Sequence, residues 1–166
     1  MAVQVPHILK AASNLRRLEK NLACILDQSG REAIANEVSR NTNGLLRLSK
    51  EHYEFATSVS RGNWRQKVSR LYYAAYHARR AVHLFVVGDY ITDSSDHKNV
   101  GGFPDDFPNR DRYKTRLADL RSDRNLADYD HEATASDLII SIEDATLLVS
   151  ELISSAQQYL ESQGLI

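Results

Sequence analysis

Apolar residues along this chain recur at steps of three and four, the period of a helix that buries one face. Ile8, Ala12, Leu15, Leu18, Leu22 and Ile25 form the first stripe. Pro6 precedes it, where a helix start tolerates proline, and Ser29-Gly30 reads as its end. A shorter helix is expected around 31–40. Asn41-Thr42-Asn43-Gly44 then reads as a break, with three poor helix formers and a glycine suited to a C-cap, although the helix is able to continue through it. Leu45, Leu48, His52, Phe55 and Val59 carry the next stripe. Arg61-Gly62-Asn63 interrupts, and Asn63 is placed to cap a central helix from Trp64 to Val87. The apolar face of that helix is Trp64, Val68, Leu71, Tyr72, Ala75, Val82 and Val86, and Gly88 closes it.

Residues 89–110 have no period and hold Gly101-Gly102, Pro104 and Pro108. They form the longest expected loop, and long loops in compact domains are often functional. Tyr113, Leu117 and Leu120 restart a helix that breaks or bends over 128–136. Leu138, Ile142, Ala145, Val149, Leu152, Ala156 and Leu160 mark the last helix, which stops near Gly164. No segment alternates with period two, so no sheet is expected. Five or six helices with mostly short connections predict an all-α fold, an antiparallel helical bundle.

Composition narrows the partners. The 166 residues fit one domain with its own core, and 42% apolar with 26% charged residues is too apolar for disorder. A net charge of −1 gives no global pull toward nucleic acid or membrane, so such binding would come from a local patch. No signal-peptide pattern or membrane-spanning stretch is read, and the expected location is cytoplasmic, with no membrane partner. Cys24 is the single cysteine and reads as a small core residue.

The central helix carries a second stripe, Arg70, Tyr73, His77, Arg80 and Leu84, opposite the apolar one. Tyrosines beside cations stack on bases or on a partner chain, so this face reads as RNA-binding surface, dimer seam or solvated polar face. Ala74, Ala75, Ala78 and Ala81 permit close helix approach. His77 reads more readily as a hydrogen-bonded core residue than as a catalyst.

The densest chemistry lies in Arg124-Asn125-Leu126-Ala127-Asp128-Tyr129-Asp130-His131. On a continuous helix, positions i, i+4 and i+7 share a face, which would align Arg124, Asp128 and His131. An arginine is a fixed cation with a fork suited to phosphate, and a histidine moves protons near neutral pH. The pair suffices for metal-free RNA cleavage, the base taking the ribose 2′-hydroxyl proton while the cation stabilises the phosphorane. The products would be a 2′,3′-cyclic phosphate and a 5′-hydroxyl. The plain alternative is a helix salt bridge between Arg124 and Asp128, with His131 merely near the last helix. The six histidines are scattered without metal-ligand spacing, so neither metal nor cofactor is expected. His97-Lys98 reads as a solvated loop pair sooner than as a phosphate contact.

The segment from Ser69 to Ala81 resembles the central helix of HEPN domains, and Asp96-His97-Lys98-Asn99-Val100 and Arg124-Asn125-Leu126-Ala127-Asp128-Tyr129 match the next two landmarks in order. The resemblance covers roughly 45–160. It implies a bundle of four or five core helices that forms homodimers, with 1–44 an N-terminal helical extension packed on a bundle of 45–166. Many HEPN proteins are metal-independent RNases of toxin–antitoxin, phage-defence and CRISPR systems, with an Arg, a polar residue and a following His. Arg124, Asn125 and His131 fit that signature, with Asp128 as an orienting residue and two chains completing one site. The branch this chain most resembles often carries Arg-x-x-x-Asp-Tyr instead, which Arg124, Asp128 and Tyr129 satisfy without His131. That version implies a non-catalytic module that binds a nucleotide or works beside a nucleotidyltransferase or small antitoxin. In the RNase reading Tyr73, His77 and Arg80, with Tyr129, line the RNA-binding or dimer face.

Overall fold

The computed structural model describes residues 14–88, 97 and 100–165. Among the described residues five α-helices pack into a bundle, and there is no strand. The helices are α1 (Leu15–Asn21), α2 (Gln28–Ser58), α3 (Trp64–Val87), α4 (Arg110–Tyr129) and α5 (Ile142–Ser162). Among the described residues no helix is long and apolar enough to cross a membrane.

The N-terminal half departs from the periodic reading. Ile8 and Ala12 lie outside the described residues. The first helix stops at Asn21 rather than at Ser29-Gly30, and both Ile25 and Cys24 are exposed, so Cys24 is not a core residue. Ser29-Gly30 instead lies in the first turn of α2, because the Asp27 carboxylate caps it by accepting the Gly30 N–H at 2.8 Å. The expected break at 41–44 is absent. Thr42 is fully buried and continues the stripe of Ile34, Val38, Leu45, Leu46 and Ser49, so core packing overrides weak propensity. Asn41 donates to the Glu37 carbonyl at 2.8 Å, which keeps its amide from competing with the helix. Residue 44, the expected junction of extension and bundle, is inside α2. On this helix Leu48 and Phe55 face outward, against the stripe that joined them to Leu45.

The central helix has the expected bounds, Trp64 to Val87. It packs against α2, α4 and α5. Ala74, Ala75, Ala78 and Ala81 are fully buried, and Ser49 of α2 donates to the Ala74 carbonyl at 2.6 Å across the closest seam. Two residues depart from the faces their spacing predicts: Leu84, on the expected polar stripe, is buried, and Val86, on the expected apolar one, is exposed. Gly88 ends the helix in the left-handed region, φ +85°, donating to Leu84 at 2.9 Å. Its carbonyl accepts the Leu15 N–H at 2.9 Å, and an added Cβ would sit 2.7 Å from the Arg16 backbone nitrogen.

The described part of the long connection packs its apolar residues against the bundle. Val100, Phe103 and Phe107 are buried, the two Phe rings stack at 4.4 Å, and Tyr159 donates to Asp106 at 2.8 Å. Arg79, itself buried, donates to the Gly102 carbonyl at 3.1 Å. Asp123 is a second buried charge: it accepts the N–H groups of Ile139 at 2.7 Å and Ile140 at 3.0 Å, fastening the last connection to α4.

Two substitutions test these fasteners. Asp123→Ala strands two N–H groups, each costing about 1–3 kcal/mol, and is expected to lower stability by roughly 3 kcal/mol in denaturant titration. Gly88→Ala is expected to cost about 2 kcal/mol or more from the left-handed backbone and the Arg16 clash combined. A shift below 0.5 kcal/mol in either contradicts the role given.

Candidate functional site: a caged arginine beside a histidine–tyrosine cluster

Arg124 lies in the last third of α4 and faces α3. Its Nε stands 2.8 Å from Asp128 Oδ2 as an ion pair, without the alignment of a directed hydrogen bond. Its Nη2 donates to the Tyr73 hydroxyl at 2.9 Å and its Nη1 to Asn125 Oδ1 at 3.2 Å. The guanidinium lies 5.8, 5.5 and 5.6 Å from the rings of Tyr72, Tyr73 and Tyr129. Such geometry is a cation–π cage. Burial disfavours the charge, but Tyr73, Asp128 and Tyr129 more than offset it, so the pKa rises above the ordinary arginine value. The side chain is 18% exposed.

His131 does not join this group. Helix α4 ends at Tyr129, so the i+7 alignment with Arg124 is lost. The imidazole is 93% exposed, and its ionic neighbour is Glu132 at 3.9 Å. Two contacts end the helix there. The Asp130 carboxylate accepts the N–H groups of Glu132 and Ala133 at 3.0 and 3.2 Å, closing a turn. Arg65, at the start of α3, donates to the carbonyls of Ala127, Asp130 and Ala133 at 2.8, 2.6 and 2.7 Å.

The structure therefore gathers Arg124, Asn125, Asp128, Tyr129 and Tyr73. His77 stacks against Tyr73 at 6.5 Å, and the Arg80 cation lies 5.4 Å from the Tyr76 ring, further along α3. Two histidines that the site reading left out complete the cluster. His52 of α2 stacks on His77 at 5.4 Å, nearly coplanar in tilt at 4°. His97 stacks on Tyr76 at 4.3 Å and its Nδ1 is 2.9 Å from the Tyr72 hydroxyl, so it is half-buried and not part of a solvated pair. Lys98 lies outside the described residues. His52 stood in the sequence as one member of a helical stripe, and no local signal joins it to His77.

Burial, with His52, Arg80 and His97 adding to it, pushes His77 down to about 4, and its buried Nδ1 has no hydrogen-bond partner. Burial and Arg70 lower His52 likewise. Burial also pushes the Tyr72 hydroxyl up to about 12, so it stays protonated at neutral pH. His77 and Tyr72 are thus uncharged near pH 7. Among the described residues no three His, Cys, Asp or Glu side chains are grouped as a metal ion requires. Beside the cage opens a cleft of about 460 Å³, lined by Phe55, Arg65, Ser69, Arg70, Tyr73 and Asp128 among others. The Arg70 cation lies 5.3 Å from the Phe55 ring, and its Nη1 is 3.4 Å from His52.

The imidazole shifts set a pH dependence. Folded His77 and His52 hold fewer protons than the unfolded chain, so stability is full above the ordinary value of 6.5 and is lost as pH falls toward about 4. Melting temperature is expected to drop across that window, and His77→Phe is expected to flatten the slope. An unchanged slope in that variant contradicts the assignment. No protein-family model matches the chain, and no significant match to it exists among curated proteins or solved structures.

Proposed function

We propose that this chain is a HEPN-like interaction module that acts by binding, its partner a nucleotide, a nucleotidyltransferase or a small antitoxin. One observation carries the reading: the Arg124 cation is occupied by Asp128 and three tyrosines while His131 stands in solvent. A cation so held must release its carboxylate before it meets a developing phosphorane, and His77, across Tyr73, is neutral and weakly basic at pH 7. The arrangement matches the Arg-x-x-x-Asp-Tyr version of the resemblance, in which Arg124, Asp128 and Tyr129 act as a buttress. The rim beside it is aromatic and cationic. Phe55 and Tyr129 are exposed and Arg70 borders Phe55, a chemistry suited to a base or a partner chain.

A second reading rests on the exposure of His131, which leaves it unencumbered to meet Arg124 of another copy. In a homodimer the two would form the metal-independent RNase site of a toxin or phage-defence protein.

Incubation with total RNA and tRNA in EDTA decides between them. The module reading expects no cleavage. It also expects Arg124→Ala to lose roughly 2–3 kcal/mol, or about 5–10 °C in Tm, with His131→Ala within about 1 °C of the parent. Cleavage abolished by both substitutions overturns the module reading in favour of the RNase.

A further inference from the structure

A second cleft lies along the N-terminal two thirds of α4 and shares no lining residue with the cleft beside the Arg124 cage. It encloses about 700 Å³ between the 100–102 loop and α4, with Arg110, Lys114 and Arg121 along one side. Asp111 is the carboxylate among the lining residues, and Arg110 is paired at 2.8 Å with Asp105. Lys114 and Arg121 make no ion pair or hydrogen bond among the described residues. Two cations thus border the cleft, with Asp111 the one carboxylate among its described lining residues, so the local charge is positive and attracts anions.

The opposite wall is built, not incidental. Gly101 lies so close to α4 that an added Cβ would sit 2.8 Å from the Lys114 Cα and 3.0 Å from its carbonyl oxygen. Only glycine allows this approach, because both obstacles are backbone. The next residue is anchored from below, where buried Arg79 donates to the Gly102 carbonyl. A buried charge and a required glycine therefore hold the loop at a fixed distance from the two cations.

The spacing selects the ligand. Lys114 and Arg121 are seven positions apart, about 10 Å along a helix that rises 1.5 Å per residue. That span exceeds the breadth of one phosphate group and suits two or three linked ones. We propose that this cleft binds a small molecule bearing a di- or triphosphate, with Lys114 and Arg121 as its cationic contacts and the Gly101-Gly102 loop as its wall.

Isothermal titration with inorganic tripolyphosphate tests the proposal on the full chain. One saturable site is expected, weakened by added salt, with inorganic phosphate binding about tenfold or more less tightly. Lys114→Gln and Arg121→Gln are each expected to weaken tripolyphosphate about tenfold, since a charge-assisted contact is lost. Arg47→Gln, an exposed cation paired with Glu51 on α2, is expected to leave binding unchanged. Circular dichroism melts of the glutamine variants should match the parent, because neither side chain makes an ion pair or hydrogen bond among the described residues. Absence of saturable binding at millimolar tripolyphosphate overturns the proposal. So does binding that the Lys114 and Arg121 variants retain, or that Arg47→Gln weakens equally.

Discussion

The bundle depends on how closely its neighbours can approach α3. Four alanines, at 74, 75, 78 and 81, are fully buried on that helix and let the flanking backbones come near enough for Ser49 to reach the Ala74 carbonyl. Leu71, Tyr72 and Leu84 of α3 are buried beside them. Tyr72, Tyr73, Tyr76 and His77 meet side chains from α2, α4 and residue 97. Larger residues at the alanine positions would push the helices apart and separate the rings from Arg124.

Buried charge does the fastening elsewhere. Arg79 secures the 100–102 loop and Asp123 secures the connection before α5, each through backbone groups that would otherwise be buried without partners. Arg124 belongs to the same class of contact. It joins α4 to α3 through Tyr73, and the tyrosine rings shield its charge from water. Charges spent in this way are costly to remove, because the partner left behind stays buried and unsatisfied.

Much of the fold was legible because it is local. The bounds of α3, the restart at Tyr113 and the course of α5 from Ile142 onward follow from three- and four-residue spacing, whereas Leu138, expected to begin the last helical stripe, lies in the extended connection before it. The Arg124–Asp128 pair was legible for the same reason, being one helical turn. What failed were features decided at a distance. Thr42 reads as a helix breaker in isolation, yet its burial among Val38, Leu45 and Leu46 carries α2 straight through. The packed loop has no period because Phe103 and Phe107 are buried against each other and against Tyr113 and Tyr159, not along a repeating face. His52 and His97 join the site from α2 and from the long connection, and no spacing rule links those positions to α3. The alignment of His131 with Arg124 assumed that α4 continues, and the tertiary contact that stops it was invisible.

That contact has a further consequence. From Arg124 to Ser141 the chain contains neither glycine nor proline, so it lacks the usual residues that terminate a helix. Arg65 supplies the stop from 62 to 68 positions upstream by occupying carbonyls that another turn of helix would have used. The length of α4 is thus written partly in α3. Exchanging residue 65 amounts to editing the punctuation of a sentence elsewhere in the chain, and the direction in which His131 leaves the bundle changes with it.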